Sequence, residues 1–155
     1  MREIKKVAVI GAGVMGAAIA AHVTNAGIPV VLLDIVGKDS NDRSAIANGA
    51  VAKLLKTEPA PFMSSRNAKL ITTGNLEDDL SLLADCDWIV EAIIENLKIK
   101  HDLYAKLETV RKAGSIVTSN TSTIPLKNLI EGRSDAFQAD FAITHFFNPP
   151  RYMRL

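Results

Sequence analysis

The string VAVIGAGVMGAAIA, residues 7–20, constrains this chain more than any other. A short β-branched run, Val7 to Ile10, leads directly into Gly11-Ala12-Gly13-Val14-Met15-Gly16, and an Ala-rich segment follows as far as Gly27. A bare G-x-G-x-x-G pattern is common; its place between a strand and a helix is what gives it meaning. Gly11 would permit the tight turn, Gly13 would let a pyrophosphate approach the backbone, and Gly16 would let the helix pack close against the strand. The helix start offers unpaired N–H groups and a partial charge of roughly +0.5 to an anion.

Asp34 closes the next apolar run, Pro29 to Leu33. A carboxylate at the end of a second strand accepts hydrogen bonds from adenosine ribose hydroxyls and repels a 2′-phosphate. Ile35, Val36 and Gly37 follow, with no arginine to receive such a phosphate. The turn and Asp34 together predict NAD rather than NADP, the alternative being a structural turn with a solvated aspartate.

Beyond Asp34, short apolar runs keep alternating with helical patterns. The spacing predicts a helix over 43–56, a loop over 58–65, a strand over 69–72 and a short helix over 76–83. It then predicts strands over 88–90, 115–118 and 141–147, and helices over 97–110, ended by Gly114, and 126–130. Unbroken apolar strands between helices imply an α/β fold: a doubly wound, mainly parallel sheet of the Rossmann type, with helices on both faces.

With 155 residues the chain is about one domain. Its 48% apolar and 23% charged residues are those of an ordinary globular protein. A net charge of +1 with scattered Lys and Arg excludes a nucleic-acid stripe. No run reaches the ~18 apolar residues of a membrane span. The single Cys86 reads as a small buried hydrophobe in a reducing compartment, and no secretory leader precedes Val7, so the expected location is the cytoplasm. The glycosylation match Asn120-Thr121-Ser122 is therefore idle, and no metal-ligand spacing stands out.

In open α/β sheets, ligands lie beyond the carboxyl ends of the strands. The expected strand ends carry Gly11, Asp34, Glu91, Asn120 and His145, with Glu95 and Ser122 close behind two of them. Each has a bland alternative: residues 120–123 turning the chain, Glu91 and Glu95 as ordinary end charges, Lys100 as a solvated lysine. His22 and His101 fall within helices and read as surface or packing residues. His145, delivered by an apolar strand and followed by Asn148-Pro149-Pro150, suits removal of a proton from an alcohol as its hydride leaves.

Taken in order, VAVIGAGVMGAAIA, DWIVEAIIENLKIKHDLYAKL, SNTSTIPL and HFFNPPRYMRL resemble the NAD-binding domain of the 3-hydroxyacyl-CoA dehydrogenase family. The resemblance covers essentially the whole chain, and the last two strings are its most diagnostic. It implies oxidation of an (S)-3-hydroxyacyl-CoA to the 3-ketoacyl-CoA in fatty-acid β-oxidation. By matching motifs, it implies His145 as general base and Ser122 as hydrogen-bond partner of the substrate oxygen and the nicotinamide side. Glu95, Lys100 and Asn148 would line the nicotinamide half, and Asp34 would hold the ribose.

Two parts of the family pattern are not found here. The carboxylate that orients the histidine in such enzymes would fall beyond Leu155, and so would the helical domain that closes over the acyl-CoA and usually forms a dimer. The expectation is a domain that binds NAD with little turnover and leaves apolar surface uncovered near Phe146, Phe147 and Met153. The wording NPPRYMRL is similar to that of large members fused to an enoyl-CoA hydratase module. Two competing readings are a β-hydroxyacid dehydrogenase acting on a free small acid and a non-catalytic nucleotide-binding protein. The first lacks its catalytic lysine and substrate loop; the second sits poorly with Ser122 and His145.

Overall fold

The computed structural model describes residues 3–37 and 41–155. Six strands form one sheet: β1 (Val7–Ile10), β2 (Val30–Asp34), β3 (Ile71–Asn75), β4 (Trp88–Glu91), β5 (Ile116–Ser119) and β6 (Phe141–Ile143). Their order is β3-β2-β1-β4-β5-β6, and every pairing is parallel. The chain winds outward from β1 on one side, then restarts at β4 on the other. The topological switch therefore lies between β1 and β4, where such sheets open a crevice at their carboxyl edge.

The helices are α1 (Val14–Thr24), α2 (Ala45–Leu54), α3 (Leu97–Val110), α4 (Leu126–Leu129) and α5 (Asp135–Ala139). Alternate strand residues face opposite sides of the sheet. Val7, Val9, Val30 and Leu32 pack with Ile19, Ala20 and Val23 of α1, while Ala8, Ile10, Val31 and Leu33 pack with Leu103, Tyr104 and Leu107 of α3. Both faces are thus covered, as unbroken apolar strands require. Asn96 caps α3 by accepting from the Ile99 N–H at 3.1 Å. Among the described residues no helix is long and apolar enough to cross a membrane.

Several boundaries differ from the sequence reading. The third strand begins at Ile71 because a 3₁₀ helix, Ser65–Leu70, takes up the residues before it. The short helix expected over 76–83 shrinks to a 3₁₀ turn, Leu80–Leu83; Asn75 Oδ1 instead accepts from the backbone N–H groups of Glu77 and Asp78 and folds a tight turn there. Helix α5, capped by Ser134, was not expected. Gly114, with φ of 70°, lies in the turn after α3 rather than at its end.

The last strand is three residues long, not seven. Its final ladder bond runs from the Thr144 N–H to the Ser119 carbonyl at 3.1 Å. The next N–H to be paired, that of Phe146, goes to the Asn120 side chain, and the prolines that follow prevent further pairing. Phe146 also departs from expectation: it is buried on the α1 face, whereas Phe147 and Met153 are exposed as foreseen.

Candidate functional site

The glycine turn sits at the switch point, and its three glycines serve different ends. Gly11 has φ of +100°, and a Cβ there would stand 2.5 Å from the Ala92 carbonyl oxygen. At Gly16 a Cβ would fall 1.7 Å from the Gly11 carbonyl oxygen, so only glycine allows α1 to close on the turn. Gly13 is exposed and open: a Cβ there meets nothing within 4 Å. It is the N-cap of α1, with no side-chain cap and no acidic residue in the first turn. That uncapped N-terminus, bordered by empty space, fits a diphosphate.

Asp34 reaches the same turn. Its Oδ2 accepts from the Ala12 N–H and its Oδ1 from the Ile35 N–H, both at 2.6 Å. The half-buried carboxylate is thus oriented by backbone and keeps lone pairs for a ribose diol. Ile35, directly after Asp34, and Ile94, beside Gly13 and Val14, are 60% and 64% exposed. The residues present fit a dinucleotide.

Two depressions meet at Gly13 and Val14. One, of about 390 Å³, runs toward Lys53, Leu54, Pro59 and Asn148. The other, of about 450 Å³, is bounded by Met15, Ile93, Glu95, Asn120 and Ser122. At the far side of the second, Ser122 Oγ lies 3.0 Å from His145 Nε2. The His145 ring also stands beside Phe147, with centroids 4.9 Å apart. Asn120 Oδ1 accepts from the Phe146 N–H at 2.8 Å, fixing the backbone directly after His145.

Glu95 organises the turn that carries Ser122. Its Oε1 accepts from the Thr121 hydroxyl, from the Ser122 N–H at 3.1 Å, and from the Thr123 N–H and hydroxyl at 3.3 and 3.2 Å. Its Oε2 is 3.3 Å from Lys100 Nζ. Burial works against the Glu95 carboxylate, but the Thr121 and Ser122 hydrogen bonds and the Lys100 charge outweigh it and hold its pKa at about 2.

Lys100 is no solvated lysine. Its side chain is 1% exposed and pairs with Glu91 Oε1 at 2.6 Å. Glu91 also accepts from Tyr104 Oη and Ser119 Oγ, each at 2.6 Å, and from the Ile93 N–H at 2.9 Å. Desolvation and the Glu91 charge push the Tyr104 hydroxyl far above its ordinary pKa, keeping it a donor.

The structure therefore brings Gly11, Ala12, Gly13, Val14, Met15, Gly16 and Asp34 together, and sets Glu95, Asn120, Ser122 and His145 on the same edge. Asn148 is exposed beside the first depression. Lys100 stands behind Glu95, apart from the cleft. His22 and His101 lie in α1 and α3, and His101 Nε2 is 2.7 Å from the Asn128 carbonyl oxygen. Tyr104 and Ser119 went unnoticed in the sequence, where Thr121 reads as a turn residue. Tyr104 and Lys100 sit on α3 at i and i+4, a spacing that faces both toward the strand end at Glu91.

Comparison with known proteins gives a consistent result. The family model for the 3-hydroxyacyl-CoA dehydrogenase NAD binding domain matches residues 6–155. A Deinococcus radiodurans protein named "Probable 3-hydroxyacyl-CoA dehydrogenase" is 59% identical over 153 residues, covering 99% of this chain and 44% of its own length. A Bacillus subtilis protein of the same name is 50% identical, with 99% and 21% covered. The crystal structure of 3-hydroxybutyryl-CoA dehydrogenase from Escherichia coli K12 superposes with a TM-score of 0.80 at 27% identity, covering 98% of this chain and 31% of that one. The chain spans less than half the length of each.

Proposed function

The chain belongs to the 3-hydroxyacyl-CoA dehydrogenase NAD-binding domain family, and from that premise we propose that it is the NAD-binding part of an enzyme that oxidises (S)-3-hydroxyacyl-CoA thioesters in fatty-acid β-oxidation in the cytoplasm. The observation that carries this reading is the 3.0 Å pairing of Ser122 Oγ with His145 Nε2 on the sheet edge that holds the glycine turn.

In this reading the uncapped start of α1 binds the diphosphate, and Asp34 accepts hydrogen bonds from the adenosine ribose. NAD, once bound, supplies the acceptor for a hydride. Glu95, Asn120 and Asn148 border the nicotinamide half, with Lys100 supporting Glu95 from behind. His145 takes the proton from the 3-hydroxyl group through Nε2, a role worth ~10²–10⁴ in rate. The Ser122 hydroxyl turns from the imidazole to the substrate oxygen and holds it for that transfer. Phe147 limits water on the exposed face of the ring.

Because the relatives are much longer than this chain, we assign the carboxylate that orients His145 to the segment that follows Leu155 in such proteins, and most thioester contacts to a helical domain. The exposed Phe147, Tyr152 and Met153 are the surface that domain would cover, and dimer formation would follow from it. The test has two arms. Calorimetric titration of residues 1–155 should give NADH binding at least about tenfold tighter than NADPH, a difference of ~1.4 kcal/mol. Turnover of a 3-hydroxyacyl-CoA by the isolated chain should be slight. Equal affinity for the two dinucleotides, or robust steady-state turnover, contradicts the reading.

A further inference from the structure

Glu91 ends β4 wholly buried, so its carboxylate touches no ligand in the cleft. A buried charge persists only when paired and hydrogen-bonded. Glu91 has four such partners, drawn from three places: Lys100 and Tyr104 on α3, Ser119 at the end of β5, and the Ile93 N–H in the turn after β4. Stability is a weak reason for this arrangement, since well-packed apolar side chains commonly replace a buried ion pair at no cost.

The connections point outward instead. Lys100 is shared between Glu91 at 2.6 Å and Glu95 at 3.3 Å. Glu95 holds residues 121–123 through four hydrogen bonds, and the Ser122 hydroxyl of that turn stands against His145. Two carboxylates share one ammonium, and the shorter contact is the inner one. Without the Glu91 charge, Lys100 loses its shorter contact and no longer anchors Glu95 Oε2, so the hold of Glu95 Oε1 on the Ser122 and Thr123 N–H groups loosens.

We propose that Glu91 is a positioning residue: acting through Lys100 and Glu95, it fixes the 121–123 turn so that the Ser122 hydroxyl is set beside His145 before any dinucleotide binds. Its meaning for catalysis rests on the dehydrogenase reading above; the geometric claim does not. The cofactor's adenosine half lies at Asp34, away from this network, so the two halves of the dinucleotide should respond differently.

The experiment compares the wild-type chain with Glu91→Gln, which keeps the size and loses the charge. Two quantities are read: amide hydrogen exchange at Ser122 and Thr123 against the sheet amides of Val9, Val90 and Val117, and affinity for NADH against ADP-ribose. The expected result is exchange at Ser122 and Thr123 about tenfold faster or more, with the sheet amides unchanged. NADH binding weakens about tenfold while ADP-ribose binding stays within about twofold.

If Glu91→Gln does not fold, the double variant Glu91→Gln/Lys100→Met removes both buried charges and is expected to show the same two changes. Unaltered exchange at Ser122 and Thr123 overturns the proposal. So does an equal loss of NADH and ADP-ribose binding, the mark of a merely structural role. Should the wild-type chain ignore NADH while the exchange pattern appears, the positioning claim stands and the cofactor reading fails.

Discussion

Replacing Glu95 by Gln isolates how much the Ser122 turn owes to a charge. The Glu95 carboxyl falls from an ordinary pKa of 4.5 to about 2: burial opposes the ionised form, and bonds from Thr121 and Ser122 with the Lys100 ammonium more than compensate. At full strength that fall is worth roughly 3 kcal/mol. The side chain is 38% exposed, so solvent screening reduces it to about 1–2 kcal/mol. Because the folded-state pKa is depressed, this stabilisation is complete above pH 4.5 and is lost as pH falls through about 2. Glu95→Gln should therefore lower unfolding free energy by about 1–2 kcal/mol at neutral pH, with the gap closing as pH drops below 4.5. Urea unfolding followed by Trp88, the single tryptophan, measures it. Asp87, held at about 2 chiefly by the Lys112 hydrogen bond, titrates in both proteins and cancels in the difference. No gap at neutral pH, or one that stays constant into acid, refutes the charge argument.

Four further substitutions separate fold from binding. Gly16→Ala drives a Cβ to 1.7 Å from the Gly11 carbonyl oxygen, so it should cost ~1–3 kcal/mol or more and abolish NADH binding; Gly13→Ala, with open space around it, should leave stability within about 0.5 kcal/mol yet weaken NADH binding at least about tenfold. Both are read by urea unfolding and calorimetry on the same samples. Tyr104→Phe keeps the ring against Phe137 and Phe141 and removes the 2.6 Å bond to buried Glu91, a loss of ~1.5–3 kcal/mol in the urea midpoint analysis. Asp34→Asn loses an acceptor that the Ala12 N–H uses and relieves repulsion of a 2′-phosphate, so calorimetry should show weaker NADH binding and a smaller preference over NADPH.

Much of this was legible in the sequence for definite reasons. Strands such as Val7–Ile10 and Val30–Asp34 are unbroken apolar runs, a pattern only a sheet covered on both faces tolerates, and Leu97–Val110 shows its helix by spacing alone. The glycine turn announces itself because close approaches at Gly11 and Gly16 admit no other residue. Elements set by side chains reaching along the chain were not legible: Asn75 replaces an expected helix with a turn, and Asn120 takes over where β6 stops. The same holds for the site. Ser122 and His145 carry recognisable chemistry, whereas Lys100 looks like a surface lysine until the fold places it against Glu91, nine residues back in the chain but across a strand–helix turn.

A nuclear Overhauser measurement on the NADH complex of this chain tests the central claim most directly. The account predicts cross-peaks between the nicotinamide C4 protons and the His145 ring, together with contacts from the adenosine ribose to the backbone at Ala12 and Ile35. Ribose contacts with no nicotinamide signal near His145 would contradict it.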